Sequence, residues 1–189
     1  MRKVVSLMHM SLDGFVAGPK GEMDWIKIDD QIFDHVDRFI AQADTGFYGP
    51  KTFQMMEDYW PGVLKDPKAV GHQLNHAKWY ALAKKYVFST SLKKLNNPTA
   101  ELVKADLPGK VAALKKEQGK NLMIFGSPGL THSFAQLGLI DEYVILINPL
   151  ILGSGIPMFK GIVSRANLKL ISATEFKIGV VGFHYSKLG

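Results

Sequence analysis

The sequence predicts an α/β fold, a mainly parallel sheet covered on both faces by helices and closed at one edge by an antiparallel hairpin. Apolar runs rich in β-formers alternate with amphipathic segments over most of the chain, the pattern of successive strand–helix units. Several of those runs are unbroken rather than alternating, as strands buried on both faces are. Two long strands come last, Leu168 to Phe176 and Val180 to Lys187, close enough to pair through Lys177 to Gly179.

Each element follows from local chemistry. Val4 to Met10 reads as a buried strand, and SLDG, Ser11 to Gly14, as the turn after it. Asp29-Asp30 then precedes QIFDHVDRFIAQA, where Ile32, Phe33, Val36, Ile40 and Ala43 recur at helical spacing and the two acids suit a helix start. Thr45 to Tyr48 is a short strand running into GPKTFQMM, with Pro50 at a first helical position. Pro61 to Pro67 is expected to be a loop, and Lys68 to Lys85 a helix burying Val70, Leu74, Ala77 and Ala81. KYVFSTS, Lys85 to Ser91, is a strand ending in hydroxyls. After the turn Asn96-Asn97-Pro98 come a strand, Glu101 to Lys104, and a helix opened by Asp106 and Pro108 that runs to Gln118. Leu122 to Phe125 is a strand, Pro128 to Leu137 a helix and Tyr143 to Ile147 a further strand.

With 189 residues, 47% of them hydrophobic, the chain can bury one full core, so a single domain over residues 1–189 is expected. The absence of cysteine excludes disulfides, thiolate metal sites and a cysteine nucleophile, and suits a reducing, cytoplasmic compartment. The segment MRKVVSLMHMSLDG has too brief an apolar run for a signal peptide, and no uninterrupted run has the roughly 18 residues of a membrane span. The net charge of +6 is uneven: ten of the seventeen acids lie between Glu22 and Asp66, and ten of the twenty-three bases between Lys78 and Lys120. That asymmetry suits an anionic ligand. The lysines are not interleaved with aromatics, so nucleic acid is not expected as a partner.

Three junctions carry residues suited to an anion. FGSPGL, Phe125 to Leu130, offers glycines for close backbone approach, Ser127 as an N-cap and Pro128 at the first helical position. It lacks the GxGxxG and GK[ST] fingerprints, and an ordinary tight turn would use the same residues. YGPKT places Lys51 and Thr52 in a first helical turn, where a cation opposes the helix dipole unless an anion lies nearby. FSTS sets Ser89, Thr90 and Ser91 at a strand end, where hydroxyls also serve plain turns.

The order SLDG, Asp24-Trp25, YGPKT, FSTS, FGSPGLTHSF and GLIDEY resembles the dihydrofolate reductase-like family, and more narrowly the C-terminal reductase domain of the bifunctional riboflavin-biosynthesis deaminase/reductase (the RibD C-terminal type), from Val4 to Leu188. The resemblance implies a three-layer sandwich around a mixed sheet of about eight strands, with NADPH as cofactor. By the family's pattern Gly126, Ser127, Gly129, Leu130 and Thr131 would hold the pyrophosphate, Gly49, Lys51 and Thr52 would flank it, and Ser89, Thr90 and Ser91 would lie by the 2′-phosphate. Two positions depart from that pattern: Pro50 stands where arginine is common, and Gly126-Ser127 where Gly-Gly is common.

Family members place an acid shortly after a tryptophan. Here Trp25 is followed by Asp29 and Asp30, so Asp30, then Asp29 and Asp24, are the candidate proton donors or substrate anchors, while capping accounts for the same acids. Asp13 binds substrate or holds its turn. Trp25, Met55 and Met56 either wall a flat ring or belong to the core. His72 and His76 have metal-ligand spacing but no third ligand, so two histidines on a polar face are preferred and no metal is expected. The resulting expectation is an NADPH-dependent reductase of a small heterocycle, with a homodimer by analogy with relatives. The alternatives are dihydrofolate reduction and a dinucleotide-binding module without catalysis.

Overall fold

The computed structural model describes residues 1–163 and 165–188. Its ten strands are β1 (Val4–Ser11), β2 (Phe15–Ala17), β3 (Ala43–Tyr48), β4 (Lys84–Phe88), β5 (Ala100–Val103), β6 (Asn121–Phe125), β7 (Glu142–Asn148), β8 (Ile156–Pro157), β9 (Leu168–Glu175) and β10 (Val181–Lys187). Eight of them form one sheet in the order β5-β4-β3-β6-β1-β7-β10-β9, and β2 pairs with β8 in a separate ribbon. The β1–β7, β3–β4 and β4–β5 pairs are parallel, and the β7–β10 and β10–β9 pairs antiparallel. This is the expected α/β fold, a mixed and mainly parallel sheet with antiparallel strands at its C-terminal edge.

The chain divides into two compact units, one made of Met1–Arg2 and Asp30–Met123, the other of Lys3–Asp29 and the chain from Ile124 onward. The first contains β3, β4 and β5 with four helices: α1 (Asp30–Ile40), α2 (Pro50–Lys65), α3 (Gly71–Leu82) and α4 (Leu107–Lys116). Its core gathers Phe47, Tyr48, Phe53, Tyr80, Val87 and Phe88. Arg2 is buried there too, its guanidinium paired with Asp44 and donating to Thr45 Oγ1 at 2.6 Å, so the charge stays compensated.

Several boundaries differ from those expected. Helix α1 ends at Ile40 and Ala43 begins β3: the Ala41 N–H still reaches Asp37 O, but the Gln42 N–H turns to Phe39 O and closes the helix. Helix α2 runs through Pro61 to Lys65, where a loop was expected. Pro61 lies on an exposed turn, where the one bond it forfeits is not compounded by burial. Helix α3 is shorter than Lys68–Lys85, and Val70 and Ala81 are exposed rather than inward. Its buried residues are His76, Ala77 and Tyr80, because ring packing sets the inward face: His76 stacks on Trp60 with centroids 4.0 Å apart. His76 is therefore no polar-face residue, and burial pushes it down to about 4. His72 stacks on Phe33.

The second unit contains β1, β7, β10, β9, the β2–β8 ribbon and α5 (Pro128–Gln136). Strands β1 and β7 are buried along nearly their whole length, which is why VVSLMHMS and EYVILIN read as unbroken runs. The Phe176–Val180 turn closes the β9–β10 hairpin, with Gly179 at φ +86° and its N–H on Phe176 O. The ribbon was not foreseen; strands of two and three residues carry no periodicity to read.

Candidate functional site

In the second unit, β6 leads through Gly126 and Ser127 into α5. Both residues are left-handed, at φ +54° and +53°, and Ser127 makes no side-chain capping bond. A glycine adopts that backbone freely, whereas a serine is strained by an amount on the order of 1 kcal/mol. The Gly126 N–H is held by Leu7 O, the Thr131 N–H by Ser127 O, and the Thr131 hydroxyl by Gly126 O. The N–H groups of Gly129 and Leu130 have no acceptor among the described residues. Gly129 is exposed, and a Cβ placed on it would meet nothing within 4 Å. The end of α5 therefore combines free donors, the positive end of the helix dipole and open space, the requirements of an anion seat.

Asp13 joins two loops. Its Oδ1 accepts from Ser11 Oγ at 2.7 Å and from the Leu152 N–H, and its Oδ2 from the Gly153 N–H at 2.8 Å. The Ser11 hydroxyl leads the bonds that hold this exposed carboxylate below the usual range, joined by the backbone donors of Leu152 and Gly153. The turn reading of Asp13 thus has the firmer geometric basis, with its carboxylate also tethering NPLILGSG.

The loop before α1 is tied down by a residue the sequence reading missed. Asn148, fully buried at the end of β7, accepts the Lys27 N–H at 2.8 Å and donates to Leu146 O, with His9 Nδ1 3.4 Å from its amide. Burial pushes His9 down to about 4, so the imidazole is neutral near pH 7. A polar residue closing an apolar run was the available signal. On that loop Asp24 is exposed, Asp29 is half-buried with partners of its own, and the Trp25 indole N–H donates to Glu22 O at 3.1 Å.

In the first unit, Asp30 is exposed and opens α1. Gly49 precedes α2 without a side-chain cap, its carbonyl accepting the Phe53 N–H; Lys51 is exposed and Thr52 half-buried. Ser89 Oγ accepts from the Leu92 and Ser91 N–H groups and lies 3.3 Å from Ser91 Oγ, so those two hydroxyls close their own turn. Thr90 is exposed beside them. Met56 Sδ accepts from the Trp60 indole at 2.9 Å and Met55 is exposed. Unforeseen there is a polar cluster on Glu57, which receives the Tyr80 hydroxyl and the Asn97 amide, with the Lys85 ammonium 4.5 Å from the centre of the Tyr80 ring. Among the described residues, no group of three His, Cys, Asp or Glu could hold a metal ion.

The RibD C-terminal domain matches residues 2–181. The chain belongs to that family. Among its relatives is the uncharacterized protein YyaP of Bacillus subtilis, 35% identical over 97% of this chain and 94% of that one. The fold matches that of a solved Shewanella sp. PV-4 protein named for riboflavin biosynthesis, with a TM-score of 0.77 at 20% identity over 99% of both chains. It also matches a dihydrofolate reductase from Enterococcus faecalis solved with NADP(H), with a TM-score of 0.66 at 11% identity over 99% of this chain and 97% of that one. This RibD C-terminal, reductase-like domain thus has a dihydrofolate reductase-like fold over its whole length. No helix among its described residues is long and apolar enough to cross a membrane.

Proposed function

We propose that the protein is an NADPH-dependent reductase of a small heterocyclic substrate, resembling 5-amino-6-(5-phosphoribosylamino)uracil reductase of riboflavin biosynthesis. The observation that carries this reading is the open end of α5, where a strained Gly126-Ser127 turn leaves the Gly129 and Leu130 N–H groups without protein acceptors. A pyrophosphate fits that donor set. Gly126, Ser127, Gly129, Leu130 and Thr131 hold it in this reading, with Gly49, Lys51 and Thr52 as flanking contacts and Ser89, Thr90 and Ser91 toward the 2′-phosphate. When bound, NADPH supplies the hydride.

The chain's own tasks are placement, exclusion of water and delivery of a proton. Asp30 is the first candidate for the proton or for anchoring the substrate, followed by Asp29 and Asp24. Trp25, Met55 and Met56 provide apolar surface for a flat ring. Asp13 braces the turn before the substrate loop through Leu152 and Gly153, and Asn148 fixes the loop itself through Lys27.

The experiment is a titration of tryptophan fluorescence with NADPH and with NADH, on the protein and on Gly129→Asp. The new side chain enters open space and brings a negative charge to the anion seat. A charge pair about 4–5 Å apart in partly shielded surroundings is worth roughly 3–4 kcal/mol, so NADPH affinity should fall on the order of 100-fold. Melting temperature should hold or rise, because an acid in a first helical turn favours the helix. An unchanged affinity in the variant, or no NADPH binding by the parent protein, sinks the cofactor assignment. Tight binding without turnover on any heterocycle would favour the non-catalytic module.

A further inference from the structure

Strand β1 carries His9 onto the face of the sheet that bears Asn148. His9 opposes Leu146 and Ser11 opposes Asn148 in the β1–β7 register, and directly opposed residues, like alternate ones along a strand, point to the same side. Leu7, two residues before His9, gives its carbonyl to the Gly126 N–H of the turn into α5. Asn148 accepts the Lys27 N–H at 2.8 Å and so holds the loop that carries Trp25. His9 is thus joined through its own strand to the open start of α5 and through Asn148 to that loop, all within the second unit.

The bonds around Asn148 fix which nitrogen of His9 carries the proton. The Lys27 N–H can only donate and Leu146 O can only accept, so the Asn148 oxygen faces Lys27 and its amide nitrogen faces Leu146 O at 3.2 Å. The second hydrogen of that nitrogen is left for His9 Nδ1, 3.4 Å away. Nδ1 must then accept, and in a neutral imidazole the proton sits on Nε2. The ring is neutral near pH 7, because the atoms packed about it disfavour the cation and push it down to about 4.

The Nε2–H is therefore a donor of fixed position with no acceptor among the described residues. His9 is half-buried, and that nitrogen is not sealed in. Other histidines are engaged inside the protein: His132 Nε2 lies 2.8 Å from Pro157 O, His184 Nε2 lies 2.9 Å from Glu142, and His72 and His76 stack on Phe33 and Trp60.

We infer that His9 selects the substrate, its Nε2–H donating to a ring carbonyl oxygen of the heterocycle, with Asn148 holding both the imidazole and the loop beside it. The substrate class rests on the reductase reading. An uncharged donor favours an uncharged acceptor over a phosphate, for which the positive end of α5 is the better seat. A ring with an amino group in place of that carbonyl would set donor against donor and be rejected. The imidazole takes no part in proton delivery, which stays with the carboxylates.

Two rings of the same shape test this role: 5,6-diaminouracil, with two ring carbonyls, and 2,4,5,6-tetraaminopyrimidine, with amino groups in their place. Calorimetric titration of the protein, with and without NADPH, should show the uracil bound about tenfold more tightly. In His9→Phe, which keeps a flat ring without the donor, that preference should vanish while NADPH affinity is unchanged. Imidazole nitrogen NMR of the parent protein depends on no variant's folding. Near pH 7 it should show His9 neutral with its proton on Nε2, and that N–H should shift on addition of 5,6-diaminouracil. Equal binding of the two rings, binding of neither, a preference that His9→Phe retains, a loss of NADPH affinity in that variant, or a His9 proton on Nδ1 overturns the inference. Failure of NADPH to bind sinks the reductase reading alone, because the two rings can still be compared without it.

Discussion

Helices α4 and α5 begin on almost the same backbone and finish the job differently. Asp106 and Ser127, at φ +49° and +53°, are the two described non-glycine residues with positive φ, and each precedes a helix with a proline in its first two positions. Asp106 turns its carboxylate onto the Gly109 N–H at 3.0 Å and closes its helix. Ser127 makes no such bond. A helix that closes its own end gains stability and offers that end to nothing else. An end left open forgoes the bond and keeps its donors for a ligand. The comparison separates a helix start that closes itself from one that stays open, which residue type alone does not, since aspartate and serine cap about equally well.

If that contrast is right, Asp106→Ala should produce the largest loss of stability among the cap variants. It removes a cap worth about 0.5–2 kcal/mol and forces an alanine into a left-handed backbone at about 1–2 kcal/mol. Chemical denaturation should show a loss of roughly 2–3 kcal/mol with NADPH affinity unchanged. A loss within experimental error would mean that the Asp106–Gly109 bond does not close the helix, and the contrast would fail at its structural end.

How much of this could be read beforehand depends on the range of the forces involved. Strands β1 and β7 were legible because burial on both faces writes an unbroken apolar run into the sequence itself. Glycines in FGSPGL marked the tight turn into α5 for the same local reason. The left-handed state of Ser127 was not legible, because the sequence favours serine as a side-chain cap and the cap bond is absent. His76 was misassigned because helical spacing counts imidazole as polar, whereas stacking on Trp60 buries it. Pro61 to Pro67 reads as a loop because proline forfeits a helical bond, but on an exposed turn α2 continues through it to Lys65. The braces made by Asp13 and Asn148 run between segments far apart in the chain, and no local pattern encodes a partner that distant. Asp13 was visible as a turn residue, and Asn148 only as a polar residue closing an apolar run, with nothing to name its partner.

Asp106→Gly sharpens the comparison at an intermediate size. Glycine adopts the left-handed backbone without strain, so this variant loses a few tenths of a kcal/mol at the cap and about 0.4–1 kcal/mol to the freer unfolded chain, about 1 kcal/mol in all. The difference between Asp106→Ala and Asp106→Gly then measures the backbone penalty less that entropy. Equal losses would show that the backbone penalty is no larger than the entropy, and with it the strain assigned to Ser127.

The smallest effect, and the most discriminating, is Ser127→Gly. With no cap bond to lose, replacing serine by glycine relieves the left-handed strain. It also raises the entropy of the unfolded chain, which returns about 0.4–1 kcal/mol of the gain. The net should be a stabilisation of up to about 1 kcal/mol, opposite in sign to Asp106→Gly at a residue with nearly the same φ. Ser127→Ala keeps the strained backbone and should gain nothing. A destabilisation by Ser127→Gly as large as that of Asp106→Gly would mean that the buried Ser127 hydroxyl holds the helix start through its other contacts. The open end of α5 would then be a closed one, and the anion seat would lose the feature that distinguishes it from α4.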